Sequence, residues 1–148
     1  MEKIRLGIVV SEFNTEITEK MLKTALKRAK SLQADVNYIF KVPGAFDSPI
    51  AIQNLLRKKN VDAVVTLGAV IKGETKHDEL ITSAITRRIT DLALTYNKPV
   101  TLGISGPGIT YEQAKARIDG YSARAVEAAV TLVKRLRKLS NDESILIE

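Results

Sequence analysis

The sequence predicts an α/β fold in which a four-stranded parallel sheet lies between two layers of helices. Three observations lead there. Short apolar runs alternate with longer amphipathic segments along the chain, the pattern of parallel strands joined by helical crossovers. The run from Val64 to Ile71, VVTLGAVI, has no polar face, as a central strand covered on both sides requires. Each apolar run also gives way to a segment rich in Gly, Pro or polar residues: Ser11 to Asn14, Pro43 to Asp47, Gly68 to His77, and Gly103 to Gly108. Ligands of open α/β sheets bind at the carboxyl ends of the strands.

The elements follow in order. Ile4 to Val10 is the first predicted strand. Thr15 to Leu32 is helical, because Ile17, Met21, Leu22, Ala25, Leu26 and Ala29 form one apolar stripe. Val36 to Val42 is the second strand. Ser48 as N-cap and Pro49 at the first helical position open the second helix, with Ile50, Leu55 and Leu56 inward. Ala63 to Ile71 is the third strand. Thr75 with Asp78 three residues on matches a capping box, so the third helix is expected to start at Thr75. It carries Leu80, Ile81, Ala84, Ile85, Ile89, Leu92 and Ala93 and ends before Asn97-Lys98-Pro99. Val100 to Ile104 is the fourth strand, and two helices follow over about 110–118 and 122–139. The whole, residues 1–148, reads as one domain with a loose tail over 140–148, and as a small three-layer sandwich of flavodoxin-like kind.

Composition narrows the chemistry. Cysteine is absent and His77 is the only histidine. A disulfide framework, a thiolate nucleophile, and a Cys- or His-rich metal site are therefore excluded. No apolar run reaches the length of a membrane span, and the first residues carry no secretory signal pattern, so a cytoplasmic protein is expected. The formal net charge of +6 raises the question of nucleic acid. Lys20, Lys23, Lys27 and Lys30 share one helix face, however, and Lys134, Arg135, Arg137 and Lys138 another. No aromatics are interleaved with them, so they read as solvated faces, and no nucleic-acid partner is expected.

The chemistry-bearing residues gather at the strand ends. Gly68 and Gly73 permit tight turns and close approach to a ligand. The helix expected at Thr75 would present free N–H groups and a positive dipole end to an anion such as a phosphate, with Glu74 beside it. His77, one turn away, titrates near neutrality and suits general acid–base work; the alternative is a surface histidine. Phe13 and Phe46 each follow a strand and either stack on a planar ring or plug the core. Asp47 either caps the second helix or binds a polar ligand edge. Arg117 either grips a phosphate bidentately or is a solvated side chain.

Two segments carry a resemblance. Val42-Pro43-Gly44-Ala45-Phe46-Asp47 and Leu67-Gly68-Ala69-Val70-Ile71-Lys72-Gly73-Glu74-Thr75-Lys76-His77 resemble the signature segments of the lumazine synthase family, and Gly7-Ile8-Val9-Val10-Ser11-Glu12-Phe13-Asn14 looks like its first strand and turn. The likeness runs from about Ile4 to Leu136, and the loop Gly103 to Gly108 looks like the archaeal branch. The resemblance implies riboflavin biosynthesis: a transferase that condenses 5-amino-6-(D-ribitylamino)uracil with 3,4-dihydroxy-2-butanone 4-phosphate and needs no cofactor.

It also implies roles. Phe13 would stack on the pyrimidine. Ala45, Phe46 and Asp47 would hold its edge and ribityl chain, alongside Ala69, Val70 and Ile71. Glu74 and Thr75 would meet the phosphate, and His77 would move protons. Leu102 and Arg117 would reach in from a neighbouring subunit of a pentamer, free or built into an icosahedral sixty-subunit shell. The chain departs from the family pattern at four places. Asp47 replaces the usual glutamate, Lys72 a frequent arginine and Leu102 a frequent aromatic. Arg117 to Arg124 replaces a lysine- and glycine-rich segment, which makes Arg124 a further candidate for phosphate. Two rival readings are an archaeal-type riboflavin synthase on the same fold and a non-catalytic flavodoxin-like binding module.

Overall fold

The computed structural model describes residues 2–73 and 77–148. Four strands, β1 (Arg5–Ser11), β2 (Asp35–Val42), β3 (Ala63–Ile71) and β4 (Val100–Ile109), pair in parallel in the order β2-β1-β3-β4. The helices are α1 (Thr15–Ser31), α2 (Ser48–Leu56), α3 (His77–Tyr96), α4 (Tyr111–Ala116) and α5 (Ile118–Ser140). Helices α1 and α5 cover one face of the sheet, and α2 and α3 the other. The expected three-layer α/β/α sandwich is the fold observed.

Strand periodicity builds the two cores. On β1, Leu6, Ile8 and Val10 point toward α1 and α5, while Val9 points toward α2. On β3, Ala63, Val65, Leu67 and Ala69 face α1 and α5, and Val64 and Val70 face α2 and α3. This two-residue alternation leaves β3 buried on both faces. Its one hydroxyl is satisfied internally: Thr66 Oγ1 donates to the Thr101 carbonyl at 2.8 Å. The next layer is tied in the same way, with Thr101 Oγ1 donating to the Ala125 carbonyl of α5 at 2.8 Å. Gly103 permits this closeness, because a Cβ there would stand 2.4 Å from the Thr66 carbonyl oxygen and 3.1 Å from Ala125 Cβ.

Several boundaries differ from expectation. β4 continues to Ile109 instead of stopping at Ile104. β3 runs on to Ile71, and Ile109 re-enters register opposite it after a shift. Ser48 is the first helical residue of α2, not its N-cap, because a 3₁₀ turn over Ala45–Asp47 leads directly into the helix. Ile50 points outward with 63% exposure, and Ala51 and Ile52 take the inward positions beside Leu55 and Leu56. On α3, Ile85 and Ile89 are buried but Leu80 and Ala84 are exposed. The last helix starts at Ile118 instead of Ser122. The tail beyond Ser140 is exposed, and its Glu148 backbone oxygen accepts from Lys138 Nζ at 2.7 Å. Among the described residues, no helix is long and apolar enough to cross a membrane.

At the amino-terminal edge of the sheet one carboxylate gathers three elements. Asp62 accepts from the Arg5 backbone N–H at 2.7 Å, from Arg5 Nε at 3.2 Å and from Arg5 Nη2 at 3.1 Å. Arg137 of α5 adds a contact at 3.4 Å and donates to the Glu2 and Lys3 carbonyls. Burial pushes the Asp62 carboxyl up. Hydrogen bonds from Arg5 and the charges of Arg5 and Arg137 outweigh this and hold it below the usual carboxylate range. A depressed folded-state pKa stabilises above the unfolded value, and that contribution is lost as pH falls through the folded one. Asp62→Asn is therefore expected to cost about 1–3 kcal/mol at neutral pH and to flatten the loss of stability below about pH 4. Urea unfolding of both proteins across that window measures it. Parallel pH curves for the two proteins would remove Asp62 from the acid response.

Candidate active site

The carboxyl ends of β1, β2 and β3 converge on a cavity of about 520 Å³. Phe13, Ala45, Phe46, Ala69, Val70, Ile71 and His77, all named from sequence, line it. Asn14, Gly44, Gly73, Asp78, Ile81 and Tyr111 complete the lining. The two phenylalanines are not buried in the core. A plug over the core would be buried, whereas Phe13 and Phe46 are 69% and 64% exposed. Both rings are surfaces available for stacking.

Local chemistry explains how each wall is held. Ser11 is buried at the end of β1, and its hydroxyl accepts from the Phe13 N–H at 3.2 Å. The Glu12 N–H donates to the Val42 carbonyl at 2.7 Å, joining the ends of β1 and β2. Asn14 stands at φ 63°, ψ 50°, and its amide donates to the Ala69 carbonyl at 2.9 Å. Asp47 is turned to structure: its carboxylate accepts from the Gly44 N–H at 3.0 Å and closes the turn that carries Ala45 and Phe46. Behind the β3 wall, β4 comes close because residue 106 is glycine. Its φ is 118°, and a Cβ would stand 2.4 Å from the Val70 oxygen.

His77 opens α3 as described and is exposed toward the cavity. Beside it Asp78 is only 6% exposed, and its Oδ2 accepts from the Gly108 N–H at 2.9 Å. The helix that carries His77 is thus fastened to the end of β4. Across the cavity, the Tyr111 hydroxyl donates to Glu16 of α1, and Lys115 Nζ lies 3.6 Å from the same carboxylate. The Tyr111 bond, then the Lys115 charge, hold the Glu16 carboxyl below its ordinary range, and the same bond raises the Tyr111 phenol.

Not every expected residue joins this cavity. Glu74 and Thr75, and with Thr75 the expected capping box, lie outside the described residues. Asp47 is exposed and is not among the lining residues. Leu102, 45% exposed on the outer strand β4, and Arg117, exposed at the junction of α4 and α5, are not among the lining residues of this chain. Tyr111, which sequence reasoning passed over, had a visible signal. Thr110 and Gln113 form a capping box, with Thr110 Oγ1 accepting from the Gln113 N–H and Gln113 Oε1 from the Thr110 N–H, so the first residue of α4 was fixed by the T-x-x-Q pattern.

The family model described as 6,7-dimethyl-8-ribityllumazine synthase matches residues 3–139. The chain is similar to proteins of that name from three archaea. It is 58% identical to that of Saccharolobus solfataricus, covering 99% of this chain and 98% of the relative. Identity is 55% with that of Metallosphaera sedula, over 95% and 93% of the two chains, and 56% with that of Sulfolobus acidocaldarius, over 93% and 87%.

The Asp78 bond yields a prediction. Asp78→Ala leaves a part-buried Gly108 N–H without its acceptor and is expected to cost about 1–3 kcal/mol. Asp78→Asn keeps an oxygen in place and is expected to cost less than half as much. Parallel urea titrations compare them, and equal losses would remove the Gly108 bond from the account.

Proposed function

The chain belongs to the 6,7-dimethyl-8-ribityllumazine synthase family, and from that premise we propose how its strand-end cavity carries the family's reaction. The enzyme is a transferase of riboflavin biosynthesis. It condenses 5-amino-6-(D-ribitylamino)uracil with 3,4-dihydroxy-2-butanone 4-phosphate to give 6,7-dimethyl-8-ribityllumazine, phosphate and two molecules of water. An amine of the pyrimidine attacks the ketone and water leaves as an imine forms; phosphate is then eliminated, and the second nitrogen closes the ring on the remaining carbonyl with loss of a second water. The riboflavin synthase and non-catalytic readings are not favoured by a match of this extent.

One observation carries the assignment of roles: the exposed Phe13 ring, the apolar β3 wall and His77 border a single cavity. Phe13 stacks on the pyrimidine. Phe46 and Ala45 flank it, and Ala69, Val70 and Ile71 form the wall behind. Asp47 supports this edge by holding the Gly44 turn. Glu74 and Thr75 are the proposed phosphate contacts ahead of α3, whose first turn has the positive end of the helix dipole. His77 carries protons between the reacting nitrogen, the ketone oxygen and the leaving group. The strand-end residues mostly supply position: they hold amine and ketone in contact, which turns a bimolecular encounter into an intramolecular one.

Leu102 and Arg117 complete the site from a neighbouring subunit in this reading, and Arg117 grips the phosphate. Exposed apolar side chains support an oligomer, since Leu102 on β4 and Leu80 and Leu94 on α3 all face outward. The assembly is a pentamer, alone or within an icosahedral shell, and it works in the cytoplasm.

Turnover of the two substrates tests the reading. His77→Ala is expected to lower kcat by about a hundredfold, the lower end for general acid–base catalysis, with modest change in either KM. A folded variant that keeps half the wild-type rate would take proton transfer away from His77. Arg117→Ala is expected to raise the butanone phosphate KM by about ten- to a hundredfold, the worth of a charged hydrogen bond, and to leave the pyrimidine KM unchanged. Because the two residues belong to different subunits of one site, mixing the two variants after dissociation and reassembly should restore part of the activity. No restoration would place both in the same subunit's site.

A further inference from the structure

We propose that Asn14 is a positioning residue for the pyrimidine substrate: its side-chain amide, donated to the Ala69 carbonyl, fixes the direction of the Phe13 ring across the cavity. The inference rests on the reading that Phe13 stacks on that substrate. The ring cannot fix its own direction, because 69% of Phe13 is exposed and little packs against it. Its orientation is set by the backbone of the turn.

That turn is pinned on both sides of Phe13. Before it, the Phe13 N–H bonds to the buried Ser11 hydroxyl, and the Glu12 N–H bonds to Val42. After it, Asn14 adopts the left-handed conformation, with φ 63° and ψ 50°, which asparagine tolerates better than most residues with a Cβ. Asparagine at a helix N-cap ordinarily turns its side chain onto the first-turn N–H groups. Here it makes no side-chain cap bond; only its backbone carbonyl accepts, from the Ile17 and Thr18 N–H groups. The usual capping bond is thus set aside for one bond 55 residues away in sequence. A local rule set aside at a site points to function.

The partner of that bond has its own meaning. The last register pair between β1 and β3 is Val10 with Leu67. Beyond it β3 continues without a neighbouring strand on that side, and the Asn14 amide takes the Ala69 carbonyl at 2.9 Å. Ala69 is also a cavity wall residue. The bond therefore joins the turn that carries the ring to a wall residue of the same cavity.

The experiment is steady-state kinetics with each substrate varied separately, on Asn14→Asp, Asn14→Gly and Phe13→Ala, with thermal unfolding alongside. Asn14→Asp keeps the size and the left-handed tolerance of the residue, and a carboxylate at a helix N-terminus is stabilising, but it cannot donate to Ala69. Asn14→Gly accepts the same backbone angles without charge. Both are expected to raise the pyrimidine KM by about tenfold, the worth of one hydrogen bond. The butanone phosphate KM should stay unchanged, and the aspartate variant should unfold no earlier than wild type. Wild-type pyrimidine KM in both Asn14 variants, with a raised one in Phe13→Ala, would overturn the inference and leave the stacking reading standing. An unchanged pyrimidine KM in Phe13→Ala would overturn both. A rise confined to the aspartate variant, or shared equally by the two substrates, would also overturn it.

Discussion

Complete enclosure of β3 is the constraint from which the rest of the molecule follows. The strand has neighbours on both edges and helices on both faces, so water reaches almost none of it. A polar side chain inside such a strand must find its partner there, and Thr66 does so on the Thr101 carbonyl. Every other chemistry-bearing group is displaced to where the strand runs out. The cavity at the carboxyl end is therefore the one place along this strand where an apolar wall, free backbone groups and titratable side chains can meet.

The walls of that cavity show a second consequence of close packing. The β3 wall is backed by β4 through Gly106, and the sheet is closed against α5 through Gly103. Neither position has room for a side chain. The wall is accordingly held at close packing distance from the layers behind it. The specific polar contacts sit on its rim, on the turn after β1 and the first residues of α3.

The sequence made the sheet legible because burial writes itself into composition. The β3 run and the stripe of α1 could be read directly. Positions governed by a partner far along the chain could not. Gly106-Pro107-Gly108 reads as a break, yet β4 continues through it because β3 still offers Ile71 as a partner for Ile109. Ser48-Pro49 reads as a cap followed by a first helical residue, but the 3₁₀ turn at Ala45–Asp47 moved the helix start by one. The aromatic and histidine positions of the site were legible from their places after strands. Asn14 and Asp78 were not legible as cavity residues, because their roles depend on Ala69 and Gly108, and no local pattern encodes such distant bonds.

The Asp62 node lies at the opposite end of β3 from the cavity. Ala69, the nearest wall residue on this strand, follows Asp62 by seven residues, roughly 22–24 Å at the usual rise per residue. Substitutions that far apart with no shared partner combine additively. Thermal tolerance and substrate preference can thus be selected separately in this scaffold: the ionic cluster at one rim can be strengthened or relaxed while the opposite rim explores new ligand shapes. A lineage moving between hot and temperate habitats could retune the first without re-learning the second.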